Sequence, residues 1–234
     1  MLIAANRDEM IDRPWQPPGR HWADRPEVVG GLDVLAGGSW LGVNDWGVTA
    51  AVLNRTGSLG PAPGRRSRGE LVLEALDHAD APEAALALSH LDPNAYRTFN
   101  LIVADERDAF WLRHADGRRI EVHPLKEGLS LIAAGDIDDL GTRRLQLALP
   151  AFRAWPVPDP DAGDWSGWEQ LLSSDSAPRG EPVEAAMRFR TDGYGTSSSA
   201  LIALPTRAEP ELRPKFRFAS WLPQQMPWRD IDLA

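Results

Sequence analysis

Four consecutive polar residues, Asn6, Arg7, Asp8 and Glu9, follow directly on a short apolar run at residues 2–5. The apolar run is of strand type. If the strand continues, Asn6 and Asp8 face one side and Arg7 and Glu9 the other. An amide, a guanidinium and two carboxylates at the end of a strand can fix an anion or orient a reacting group. The same residues also suit a strand that ends in a solvated, charge-balanced turn, and the pattern alone leaves both readings open. Asn54 closes a later strand in a similar way. Its amide can donate to a developing oxyanion or cap the next turn. Arg65, Arg66 and Arg68 gather just before a helix start. With the helix's free amides they can hold an anionic group, or they form a solvated basic loop.

Other reactive groups are sparse. The chain has no cysteine, which excludes disulfides, thiolate metal sites and cysteine catalysis within these residues. The five histidines, at 21, 78, 90, 114 and 123, show no metal spacing, and no metal site is expected. Ser197, Ser198 and Ser199 follow Gly195 without a G-x-S-x-G elbow. The acidic pairs Asp138-Asp139 and Asp159/Asp161 read as solvated loops.

The elements that must position these residues fit one domain spanning 1–234, with 43% hydrophobic residues for the core. A net charge of -9 argues against nucleic-acid binding. No apolar run reaches membrane-spanning length, and no signal peptide is recognisable, so a cytoplasmic location is expected. Ten tryptophans, several beside Pro or Gly, point to packed loops around a sheet.

Residues 12–26 hold five Pro and Gly positions and read as a long surface loop, a candidate rim for the site, with His21 and Trp22 within it. Residues 28–53 read as strands with tight turns, Asn44-Asp45-Trp46-Gly47 being a hairpin connection. Ser67 and Glu70 form a capping box opening a helix through about His78, and Asp80 caps a second helix with Pro82 in its first turn. Strands are expected at 99–104, 109–114, 119–122 and 130–134, as an antiparallel meander. A helix from Thr142 should be kinked or ended by Pro150. Short helical pieces at 168–172 and 183–187, strands at 200–204 and 215–219, and an irregular tail complete the chain. Two β-rich blocks with a helical pair between them suit an α+β layered domain.

Asn6-Arg7-Asp8-Glu9 spells the signature of the NRDE family, which includes the eukaryotic transport-and-Golgi-organisation proteins. Further segments resemble that family's blocks, in its order: Gly37-Gly38-Ser39-Trp40-Leu41-Gly42-Val43-Asn44, Ala51-Val52-Leu53-Asn54-Arg55, Ser67-Arg68-Gly69-Glu70-Leu71-Val72 and Phe99-Asn100-Leu101-Ile102. The resemblance weakens after about Ser130. It implies the N-terminal nucleophile hydrolase fold, a four-layer αββα sandwich of two stacked antiparallel sheets. In that fold the first residue of the mature chain, often Cys, is the nucleophile, and its own α-amino group is the base.

The resemblance also implies roles. Family members open with a Met-Cys strand ahead of the NRDE strand, so the expectation is that this chain lacks that first strand: either the Cys lies upstream of Met1, or the protein is a naturally shortened member without it. Arg7 resembles the guanidinium that lies against the Cys in bile-salt and penicillin-V acylases, Asp8 the carboxylate that orients the amine, and Asn54 the first oxyanion amide. Asn6, Glu9, Trp40 and Asn100 lie in the same blocks and are expected to contact the ligand. Two departures weaken the case for ordinary amide hydrolysis. A GLSN-like turn reads Gly128-Leu129-Ser130-Leu131, and a YGTRS segment reads Tyr194-Gly195-Thr196-Ser197-Ser198. The functions implied are an amide or thioester hydrolase, or a non-catalytic protein that binds or traffics haem or an acyl lipid such as an acyl-CoA. No cofactor is required; haem would be a ligand, with His21 the best-placed axial candidate.

Overall fold

A computed structural model describes residues 1–205 and 213–233. Among the described residues, eleven strands form two antiparallel sheets. The first sheet has the order β1-β9-β10-β11, from β1 (Leu2–Met10), β9 (Tyr194–Ala203), β10 (Lys215–Ser220) and β11 (Met226–Asp230). The second runs β2 to β8 in chain order: β2 (Trp15–Gly19), β3 (Val28–Asp33), β4 (Ser39–Asn44), β5 (Thr49–Asn54), β6 (Phe99–Ala104), β7 (Ala109–His114) and β8 (Glu121–Pro124).

Alternating side chains on these strands feed three apolar clusters that stack the layers. Val28, Ala50, Leu101 and Val103 face helices α1 (Gly69–Leu76) and α2 (Ala81–Ser89). Val29, Leu41 and Val43 face the other sheet, meeting Ala200, Ile202, Phe216 and Phe218. Leu201 and Ala203 face α3 (Arg143–Ala154) and α4 (Ser166–Ser173) through Ala148, Phe152, Trp168 and Leu172. The order is therefore helix, sheet, sheet, helix, the four-layer α+β sandwich expected from the sequence.

Several local expectations give way to stronger physical terms. Residues 12–26 are not all loop: β2 pairs with β3, and its Pro17-Pro18 sit at a register shift on an edge strand, where a missing donor is tolerated. The Ser67/Glu70 capping box does not form. The Glu70 carboxylate is taken by Arg66 Nε at 2.7 Å, and the helix starts at Gly69. Asp80 does cap α2, accepting from the Glu83 amide at 2.8 Å. Strand β8 lies two residues beyond its expected place. Pro150 sits inside α3 without ending it, on an exposed face of the helix. Of residues 183–187, only Val183–Ala185 form a single 3₁₀ turn. Strand β9 extends back through the serine run, and β11 occupies the tail expected to be irregular.

Residues 130–134 form no strand, because side chains and turns take their polar groups. Asn100 Nδ2 donates to Ala133 O at 3.0 Å and Gly135 O at 2.7 Å, the Thr56 amide donates to Ala134 O, and Asp138 accepts from the Leu131 amide. Asp136 completes this clamp, accepting from Arg55 Nη2 at 2.6 Å and Arg113 Nε at 2.9 Å. Burial pushes the Asp136 carboxyl up, but hydrogen bonds from Arg113 and Arg55 outweigh it and hold the group below its ordinary range. A lowered carboxyl stabilises the fold above the ordinary aspartate value of about 3.9, and that contribution is lost as pH falls through the lowered value. Asp136→Asn is therefore expected to lower Tm at neutral pH, with the gap to the parent protein closing as pH falls below the ordinary aspartate value, read by thermal denaturation across pH.

Candidate functional site

Strand β1 is the edge of its sheet, and a cavity of about 1550 Å³ runs along it. Met1 and Leu204 exchange backbone hydrogen bonds. In an antiparallel ladder bonded pairs alternate, so Ile3 and Ala5 also face β9 while the N–H and C=O groups of Leu2, Ala4 and Asn6 point outward. The cavity wall continues through Ala51 to Asn54 of β5, residues 125–134, α3 and the loop before α1.

The alternation along β1 survives a register shift between Arg7 and Asp8. Asn6 and Asp8 face the α3/α4 layer. Asn6 Nδ2 donates to Leu172 O at 3.1 Å and Met187 O at 2.7 Å, and its Oδ1 accepts from Ser199 Oγ at 2.6 Å. This amide ties the strand to α4. Asp8 accepts from Thr196 Oγ1 at 2.7 Å and from Arg144 Nη1 at 2.6 Å. Tyr194 Oη donates to the Asp8 carbonyl at 3.3 Å. Burial and then the carboxylates of Asp8 and Glu9 push the phenol up to about 12, so it remains a donor.

Arg7 and Glu9 face the second sheet. Arg7 is 9% exposed, and burial pulls its pKa down against the pull of Glu9 and Asp33. Its Nη1 donates to Ser197 Oγ at 3.0 Å, its Cζ stands 4.4 Å from the Trp40 ring centroid, and Glu9 lies 3.5 Å away. Ser197, the residue standing where the family signature has Arg, thus meets Arg7 directly and also donates to its carbonyl at 3.1 Å. Glu9 is shared with Arg13, which bonds Asp33 at 2.7 Å. Trp40 is seated on Gly31, where a Cβ would fall 2.2 Å from the indole. Gly31→Ala is therefore expected to displace the indole from under Arg7 and to cost about 1–3 kcal/mol by overpacking, measured by chemical denaturation.

Six of the seven expected site residues, Asn6, Arg7, Asp8, Glu9, Trp40 and Asn54, line this one cavity. Asn54 makes no side-chain hydrogen bond among the described residues, so its amide is free. Asn100 is placed elsewhere. It is fully buried, its Nδ2 holds the 133–135 carbonyls, and its Oδ1 accepts from Arg55 at 2.6 Å and Trp111 at 3.1 Å. It shapes the wall from behind. His21 is also outside the wall, its Nε2 set against Pro17 O at 2.9 Å. Ser197 to Ser199 are buried strand residues. Among the described residues no group of three or more His, Cys, Asp or Glu side chains could hold a metal.

Sequence reasoning missed Arg144, Tyr194 as a donor, and the apolar part of the wall from Phe152 and Trp168. Arg144 lies 136 positions from its partner Asp8, and no local pattern signals such a pair. Among the described residues no helix is long and apolar enough to cross a membrane.

Among solved structures, two superpose on nearly the whole chain. Penicillin V acylase from Agrobacterium tumefaciens superposes with a TM-score of 0.56 at 16% identity, over 98% of this chain and 82% of that one. The Caenorhabditis elegans ortholog of N-acylethanolamine-hydrolyzing acid amidase superposes with a TM-score of 0.57 at 15% identity, over 97% and 94%. At such identities the likeness speaks for the fold alone. In sequence, the chain is 36% identical over 110 residues to the Transport and Golgi organization 2 homolog of Mus musculus, and 37% identical over 110 residues to that of Bos taurus. Each match takes in 45% of this chain and 38% of the relative, well under half of the curated proteins' length. The family model for Transport and Golgi organisation 2 matches residues 1–140, more than half of the chain. The protein belongs to the Transport and Golgi organisation 2 family.

Proposed function

We propose that the cavity is the substrate site of an N-terminal nucleophile hydrolase acting on an acyl amide or thioester. The nucleophile would be a Cys upstream of Met1, on a strand that pairs with the outward edge of β1. One observation carries this reading: Arg7, Asp8 and Asn54 share a cavity with the unpaired N–H and C=O groups of that edge. The Cys α-amine would take the thiol proton, and the thiolate would attack the acyl carbonyl. The proton then passes to the departing amine or thiol, and water releases the acid from the acyl-enzyme. Asp8, held by Arg144 and Thr196, would orient the amine, Arg7 would favour the thiolate, and the free Asn54 amide would take the oxyanion. Leu131 stands where the family signature has a second amide, so one side-chain donor serves the oxyanion. A thioester, with its better leaving group, demands less of that donor than an amide does. A cytoplasmic setting keeps such a thiol reduced.

The test is the N-terminal sequence and intact mass of the protein isolated from its own source. A first residue of Cys, ahead of the present Met1, supports the reading. A chain starting at Met1 overturns it and leaves a second reading, a non-catalytic binder of haem or an acyl lipid. That second reading needs room for a large ligand, which a cavity of about 1550 Å³ provides, against the usual range of roughly 300–1,000 Å³. No histidine lines it among the described residues, so an acyl chain suits it better than haem. A Soret shift on titration or retention of acyl-CoA separates the two ligands.

A further inference from the structure

Most arginines in the cavity wall have a carboxylate partner. Arg7 pairs with Glu9, Arg13 with Asp33, Arg66 with Glu70 and Glu74, Arg143 with Glu181, and Arg144 with Asp8. The wall between residues 57 and 69 differs. Arg68 is half-buried there, and its Nη1 donates to two neutral acceptors, Ser58 Oγ at 2.8 Å and Thr98 O at 3.0 Å. Its Nε and Nη2 have no partner among the described residues. Arg97, which also lines the cavity, spends its guanidinium on the carbonyls of Gly57, Leu59, Gly60 and Pro61. Those bonds fix its position and leave its charge uncompensated. Arg65 adds a third charge, with no side-chain hydrogen bond or ion pair among the described residues.

These three cations of the cavity wall have no carboxylate at ion-pair distance among the described residues, Arg68 feeling only the more distant charge of Glu9, and the burial of Arg68 together with its repulsion from Arg97 is a cost that an anion relieves. Burial and the neighbouring Arg97 hold Arg68 down to about 10, so it is still charged at neutral pH. A different part of the same wall is apolar, built from Leu2, Leu129, Leu131, Ala148, Phe152 and Trp168.

We propose that Arg68, with Arg65 and Arg97, is a subsite for the anionic group of an amphiphilic ligand whose apolar chain lies against Phe152 and Leu131. The shared chemistry is a carboxylate or phosphate joined to an alkyl or acyl chain. This inference rests on reading the cavity as a ligand site, and it does not depend on the catalytic step.

The experiment is equilibrium binding of dodecyl phosphate, laurate, dodecanol and inorganic phosphate to the full chain, followed by tryptophan fluorescence and calorimetry. Dodecyl phosphate or laurate is expected to bind about tenfold or more tighter than dodecanol at low salt, the preference shrinking as salt rises. The stronger of the two distinguishes phosphate from carboxylate. Arg68→Gln is expected to remove most of that preference while leaving dodecanol unchanged, and Arg68→Lys to keep part of it; Tm of each variant establishes folding. Equal binding of dodecanol overturns the subsite, as does a preference that survives in folded Arg68→Gln. Binding of inorganic phosphate as tight as that of dodecyl phosphate overturns the amphiphile. Turnover of a neutral acyl substrate without anion preference would sink the subsite alone, and anion preference without turnover would sink the hydrolase reading alone.

Discussion

If the proposed N-terminal Cys is present, Arg7→Ala is expected to lower kcat/KM about 10²–10³-fold, the scale of losing one preorganised charge or donor at a reacting centre. Arg7 is 9% exposed, between Trp40 at 4.4 Å and Ser197 Oγ at 3.0 Å, and Glu9 at 3.5 Å only partly offsets its charge. A positive charge in so dry a place acts strongly on a nearby thiol and favours its ionised form. Arg7→Lys should recover only part of the loss. An ammonium keeps the charge but cannot lie flat on the indole and reach Ser197 with the same fork. Steady-state kinetics with Tm in parallel checks this. An unchanged kcat/KM in a folded Arg7→Ala protein would remove Arg7 from the chemistry.

The second large effect is on stability. Asn44 is 2% exposed at the end of β4, where its Nδ2 donates to Leu76 O at 2.9 Å and His78 O at 2.8 Å. Its Oδ1 accepts from the Trp46 amide at 3.1 Å and the Val48 amide at 2.9 Å. One side chain therefore closes the β4–β5 turn and holds the end of α1. Asn44→Ala strands these groups in a buried place and is expected to cost about 3–4 kcal/mol, measured by urea denaturation. Asn44→Asp keeps the acceptor but sets a carboxylate against two carbonyls, and should cost at least as much. A loss under about 1 kcal/mol would mean that water replaces the amide freely.

The legible part of this molecule is its first half. Strands β3 to β7 were readable because glycine and polar turns separate short alternating runs, and each pairs with its neighbour in sequence. The alternation that sets Arg7 and Glu9 opposite Asn6 and Asp8 followed from strand periodicity alone. What stayed hidden depends on distant partners. Ser197 to Ser199 read as a polar run, yet they lie inside β9, where Arg7 and Asn6 satisfy the hydroxyls of Ser197 and Ser199 across the ladder. Glu70 carries a capping signature, but a neighbouring arginine competes for its carboxylate and wins. Residues 130–134 have strand composition, and Asn100, whose family block suggested ligand contact, instead folds them into a clamp. Arg144 and Asp8 meet only through the tertiary fold.

The most direct measurement is intact mass of the protein from its own source after brief exposure to an acyl thioester. A single acyl adduct on the proposed N-terminal Cys is expected, weakened in Arg7→Ala and lost when that Cys is replaced by Ala. An acyl thioester that binds in the cavity and leaves the mass unchanged, with no acid released, would contradict it and establish the cavity as a site for binding alone.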